Sequence, residues 1–113
     1  MALTNTAITA TSAASPTALY TSSGNNAVTT LIVCNTHPST TINLTMYAVA
    51  SGKTPSGNPE TTIVSVLPIV AGETVSFDQE KMVLGNGDQI DAIASVAYSA
   101  GQGLVATVST LPV

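Results

Sequence analysis

The stretch Ala27–Ala50, AVTTLIVCNTHPSTTINLTMYAVA, decides the fold class. Two runs rich in Thr, Val, Ile, Leu and Tyr flank the polar segment Asn35-Thr36-His37-Pro38-Ser39. β-branched and aromatic residues fit a pleated, half-buried surface, so the segment reads as strand, turn, strand. The second run alternates: Ile42, Leu44, Met46 and Ala48 point one way, and Asn43, Thr45, Tyr47 and Val49 the other. The first is continuously apolar from Leu31 to Cys34, which suits a strand covered on both faces. The expectation is a β-hairpin at the centre of an all-β sandwich.

Outward from this centre, the flanking sequence continues in the same grammar. Residues 1–16 are mostly Thr, Ala and Ser, with weak alternation over Thr4–Thr11, and read as an extended N-terminal arm or edge strand ended by Pro16. Residues 17–113 form the sandwich domain. Thr17–Thr21 is a short strand closed by the turn cluster Ser22-Ser23-Gly24-Asn25-Asn26. Ser51–Pro59 holds two Gly and two Pro and reads as a surface loop. Strands are then expected at Thr61–Val70, Thr74–Phe77, Met82–Leu84, Gln89–Tyr98 and Leu104–Leu111. Asp78-Gln79-Glu80-Lys81 is the dense charge cluster, and Asn86-Gly87 is a tight-turn signal. No segment sustains a period of 3.6 residues, so the chain predicts a single antiparallel sandwich or jelly-roll-like domain of about seven or eight strands.

Composition bounds what such a domain can do. Charged residues make up 7% of the 113, against roughly 25% in ordinary globular proteins. The cations are Lys53 and Lys81, and the net charge is −4. A small soluble monomer would normally carry charge over roughly 25–35% of its surface. A surface this neutral suits a protein covered by copies of itself or by a larger assembly. Nucleic acid is an unsuitable partner, because contacts to phosphate need several Lys or Arg. No apolar run is long enough to span a membrane. The N-terminus lacks the basic start and apolar core of a signal peptide, so synthesis in the cytoplasm is expected.

Chemistry-bearing residues are sparse. His37 is the one histidine and sits beside Pro38, without the second oriented group that acid–base or nucleophilic catalysis requires. Cys34 and His37 together fall short of the four ligands of a closed zinc site, and Cys34 reads as a small buried hydrophobe. Asp78, Glu80, Asp88 and Asp91 lie near one another but match no calcium-loop spacing and read as solvated turn acids. Gly85-Asn86-Gly87 lacks the lysine and helix of a phosphate loop. Asn43-Leu44-Thr45 is a glycosylation sequon lying inside an expected strand. The aromatics Tyr20, Tyr47, Phe77 and Tyr98 are too few for a stacking platform unless they cluster. No catalytic, cofactor-binding or metal-ligating residue is expected.

Several short motifs follow one another in a set order. Leu19-Tyr20-Thr21 is followed by a Gly-containing turn, Val28-Thr29, Val33-Cys34-Asn35-Thr36, and then Asn43-Leu44-Thr45-Met46-Tyr47. Ala71-Gly72-Glu73-Thr74 and Leu84-Gly85-Asn86-Gly87-Asp88-Gln89-Ile90-Asp91-Ala92 come next. This order, from Leu19 to Leu111, resembles that of small virion proteins of tailed bacteriophages. The Pro-Ala-Gly that usually follows the tyrosine strand is replaced here by Ser22–Asn26. The resemblance implies a non-enzymatic β-sandwich located in the virion. It would act as a capsid decoration (cement) protein or as a neck, collar or tail component, and the resemblance supplies no catalytic residues. The expected partners are other copies of the chain and virion proteins such as the major capsid protein. A carbohydrate or host-recognition module is the alternative of a different class. The N-terminal arm and the Ser51–Pro59 loop are expected to make many of the contacts.

Overall fold

The structure, a computed structural model, describes residues 2–77 and 82–113. Nine strands lie within them: β1 (Ala2–Ala7), β2 (Thr17–Thr21), β3 (Asn26–Asn35), β4 (Ile42–Val49), β5 (Thr62–Ile69), β6 (Thr74–Phe77), β7 (Met82–Leu84), β8 (Gln89–Ala94) and β9 (Leu104–Pro112). A 3-10 turn, Pro59–Thr61, precedes β5. All pairing is antiparallel. One sheet has the order β1-β9-β3-β6, with β7 also pairing β3, and the other has the order β2-β8-β4-β5. The two sheets pack as a β-sandwich, as the alternation predicts.

The expected central hairpin does not form. β3 pairs with β9 on one side and with β6 and β7 on the other, while β4 pairs with β5 and β8. The two strands lie in opposite sheets, and residues 36–41 arch between them. Burial explains the outcome. Leu31 and Val33 of β3 and Ile42, Leu44 and Met46 of β4 are at most 2% exposed and belong to one core cluster. Placed side by side in a ladder, those two apolar faces would have lacked a partner layer; placed across the core, each supplies the other's. The Asn86-Gly87 turn behaves likewise, since β7 and β8 on either side of it belong to different sheets. Among the described residues, β4 and β5 are the one pair of consecutive strands that share a ladder.

The arch is held by buried polar groups. Asn35, fully buried, donates its side-chain amide to the carbonyls of Thr40 (2.9 Å) and Ile69 (2.8 Å), and its Oδ1 accepts the His37 N–H. The His37 Nδ1 accepts the N–H groups of Ser39 and Thr40. At the opposite end, the buried Asn26 amide donates to Ser22 Oγ and the Ser23 carbonyl, and the Asp88 carboxylate accepts the Ser51 and Gly85 N–H groups, each at 2.8 Å.

The N-terminal segment is an edge strand rather than a free arm. β1 runs along β9, Ile8 is fully buried in the core, and the Ile8 N–H donates to the Leu104 carbonyl. Ala10 then accepts from the Ala94 N–H of the other sheet, so residues 2–10 bind the two layers together. β8 is shorter than expected. It ends at Ala94, which leaves Val96 39% exposed instead of on the core face.

Candidate functional site

The outward face of the five-stranded sheet can be assembled from register. Val28, Leu31, Val33 and Asn35 of β3 and Leu104, Ala106, Val108 and Thr110 of β9 are buried, so their neighbours point outward. Across the strands the outward residues form four rows. Val83, Ala27 and Leu111 make the first, and Thr30, Ser109 and Leu3 the second. Ser76, Ile32, Thr107 and Asn5 make the third, and Thr74, Cys34, Val105 and Ala7 the fourth.

No charged side chain occupies these rows. Among the described residues the charges lie elsewhere: Lys53 and Glu60 pair at 3.4 Å in the segment before β5, Glu73 and Asp88 occupy turns, and Asp91 lies on β8. The face carries aliphatic corners, with Leu3 68%, Val83 67% and Leu111 42% exposed, around a field of hydroxyls. Some of those hydroxyls are already engaged within the sheet. The Thr29 hydroxyl donates to the Ser109 carbonyl and the Thr107 hydroxyl to Asn5 Oδ1, each at 3.1 Å. Covering such a face strips little water from ionic groups, which is the costly part of burying a polar surface. Cys34 belongs to this face, half-buried between Val105 and Thr74, and is not the core residue expected.

A second feature is an apolar cleft of about 250 Å³ where the two sheets gape between β5 and the β6–β7 edge. It is lined by Val28, Leu31, Met46, Ile63, Val64, Phe77 and Met82. Among the described residues no polar side chain lines it, so this lining offers an apolar side chain a seat without chemistry.

The other sequence candidates fall apart in space. His37 sits in the arch with its Nδ1 engaged by two backbone N–H groups. Asp88 is spent on turn hydrogen bonds, while Asp91 is 5% exposed across from Tyr47. Asp78 and Glu80 lie outside the described residues. Within those residues, no group of three or more His, Cys, Asp or Glu side chains converges, and no helix is long and apolar enough to cross a membrane. Tyr20 packs against the core, Tyr47 is buried, and Tyr98 lies against Gly103. The Ser51–Pro59 loop is tied down more than a free connector would be: Pro55 and Thr61 are buried, and the 3-10 turn contacts β4.

The sequence signalled a neutral surface but not where it gathers, because outward strand residues become one face only through register. No protein-family model, curated protein or solved structure matches the chain.

Proposed function

We propose that the chain is a non-enzymatic structural protein of a phage particle, a capsid decoration protein that cements the shell through neutral contacts. The observation that carries this reading is the outward face of the five-stranded sheet, four residue rows deep and without a charged side chain among the described residues. At about 4.8 Å between strands and about 3.3 Å per residue, the 32 described strand residues of this sheet offer roughly 500 Å². That falls short of the roughly 800 Å² per partner of a standard stable interface. Repeated copies on a lattice offset the shortfall by avidity. The apolar corners supply the driving force, at about 25 cal/mol per Å² before ordering costs.

The test is binding of the purified full chain to phage shells assembled without it, with its position then found by electron microscopy. Saturable binding to the shell that varies little with salt is expected, since no charge pairs carry it. Thr107→Glu, in the middle of the face, should abolish binding, and Lys53→Ala should leave it intact. Occupancy confined to a neck or tail would replace cement by a tail role. No binding to head or tail, or binding lost at moderate salt, overturns the proposal.

A further inference from the structure

The four lateral edges of the sandwich are not equally protected. The β5 edge carries Pro68 and a bulge at Val66, the β2 edge is five residues long with a register shift between Ala18 and Tyr20, and the edge opposite β1 holds the short strands β6 and β7, of four and three residues. Such features keep open edges from pairing with foreign strands. β1 has none of them. Ala2–Ala7 is an unbroken, uncharged strand without Pro, paired among the described residues with β9 on one side only.

The direction of its free groups follows from one hydrogen bond. The Ile8 N–H donates to the Leu104 carbonyl, so the even-numbered residues face β9. By antiparallel alternation, Leu3, Asn5 and Ala7 turn their N–H and C=O groups toward the open edge. The sequence here is nearly palindromic about Asn5, with Thr4 and Thr6 beside it and Leu3 and Ala7 beyond. We infer that β1 pairs with β1 of a second copy across a two-fold axis at Asn5. Asn5 then faces its own counterpart, Thr4 faces Thr6 and Leu3 faces Ala7. Each of the three outward-turned pairs exchanges two backbone hydrogen bonds. Thr–Thr pairs across strands are favourable, and no like charges meet.

This register sums to an even number, so side chains that point outward in one copy point outward in the other. The two outward faces become one continuous face of roughly 1,000 Å², above the per-partner area a stable interface needs. Leu3, 68% exposed in the single chain, gains a cross-strand neighbour. β2 contacts both β1 and β9 from the other sheet and so lies beneath this edge. The inference deepens the decoration reading by naming the contact between copies, but its test does not depend on a shell.

Sedimentation equilibrium of the full chain over a concentration series is expected to show a monomer–dimer equilibrium. Asn5→Pro removes an N–H that makes no bond to β9, and Leu3→Lys puts a cation on the edge. Each should weaken self-association by about ten-fold or more while leaving thermal unfolding nearly unchanged. In the wild type, amide exchange at Leu3, Asn5 and Ala7 should slow as concentration rises, with Thr4 and Thr6 already protected in the monomer. A chain that stays monomeric, or a dimer in which those three amides remain unprotected, overturns the inference. A dimer protected at β1 that binds no shell upholds it and removes the virion reading instead. Shell binding by a strict monomer does the reverse.

Discussion

The side-chain amide of Asn35 reaches 2.8 Å to the carbonyl of Ile69, joining β3 of one sheet to the end of β5 in the other. Asn35 also donates to Thr40 and accepts from His37, while its backbone N–H donates to Glu73 and its carbonyl accepts from Gly72. One fully buried residue thus satisfies the arch and the β5–β6 turn together. Polar groups this deep are stabilising because every partner is met, and costly once one is removed.

Replacing Asn35 by Leu keeps the volume and removes the donors. The Thr40 and Ile69 carbonyls and the His37 N–H are then left without that partner. A loss of about 3 kcal/mol is expected, at about 1–3 kcal/mol for each buried group left unsatisfied and with partial relaxation. Urea denaturation measures it. A change below about 0.5 kcal/mol, the range of an ordinary surface substitution, would mean that the arch does not depend on Asn35.

The same arch shows what was and was not legible in the chain. Alternation marked Leu44 and Met46 as one face, and Thr17–Thr21, Thr74–Phe77 and Met82–Leu84 were bounded as they occur. Turn residues report that the chain reverses, not which sheet receives it. Asn35–Ser39 and Asn86-Gly87 look like hairpin turns because both reverse the chain, yet both pass from one layer to the other. The deciding information lies in pairings such as β3 with β9, whose partners are 69 to 86 residues apart, which no local window contains. The neutral face follows the same logic, since Leu3, Thr107 and Ile32 share it only through those pairings.

Gly103 and Gly101 separate strain from crowding. Both have φ in the left-handed half, +145° and +81°. A Cβ at Gly101 would meet nothing within 4 Å, whereas at Gly103 it would lie 2.7 Å from the Tyr98 Cα, a backbone atom that cannot swing aside. Gly101→Ala should cost about 1 kcal/mol from its dihedral alone. Gly103→Ala should cost about 3 kcal/mol or more, as backbone strain and overpacking add. Equal losses in thermal unfolding would refute the close approach of Tyr98.

Val66 holds a β-branched side chain at φ +49°, 59% exposed, where the β4–β5 register shifts. Its N–H donates to Thr45 Oγ1, which holds the bulge in place. The left-handed region costs an ordinary L-residue about 1–2 kcal/mol, and Asn tolerates it far better. Val66→Asn should therefore stabilise the chain by about 1 kcal/mol, read as a melting temperature higher by roughly 4 °C. A lower melting temperature would show that Val66 contributes packing worth more than the strain.

Asp91 sets the pH dependence. It lies across from Tyr47 on the outward face of the four-stranded sheet, 5% exposed, and its Oδ1 is buried with no hydrogen-bond partner. Burial raises its carboxyl above the ordinary aspartate value. The folded chain therefore holds this proton more tightly than the unfolded chain, whose aspartate titrates near about 3.9. The contribution to stability is full below that value and is lost as pH rises through the folded pKa, because ionisation leaves a charge that burial keeps partly from water. Asp91→Asn keeps the shape and cannot ionise. It should raise stability at pH 7 by about 1 kcal/mol, the scale of one buried group relieved. The advantage should shrink as the pH is lowered toward about 3, where the wild-type carboxyl is neutral in both states. Denaturation midpoints of the two proteins across that range test the sign. A gap that widens toward acid would mean that the ionised carboxylate is the form the fold favours.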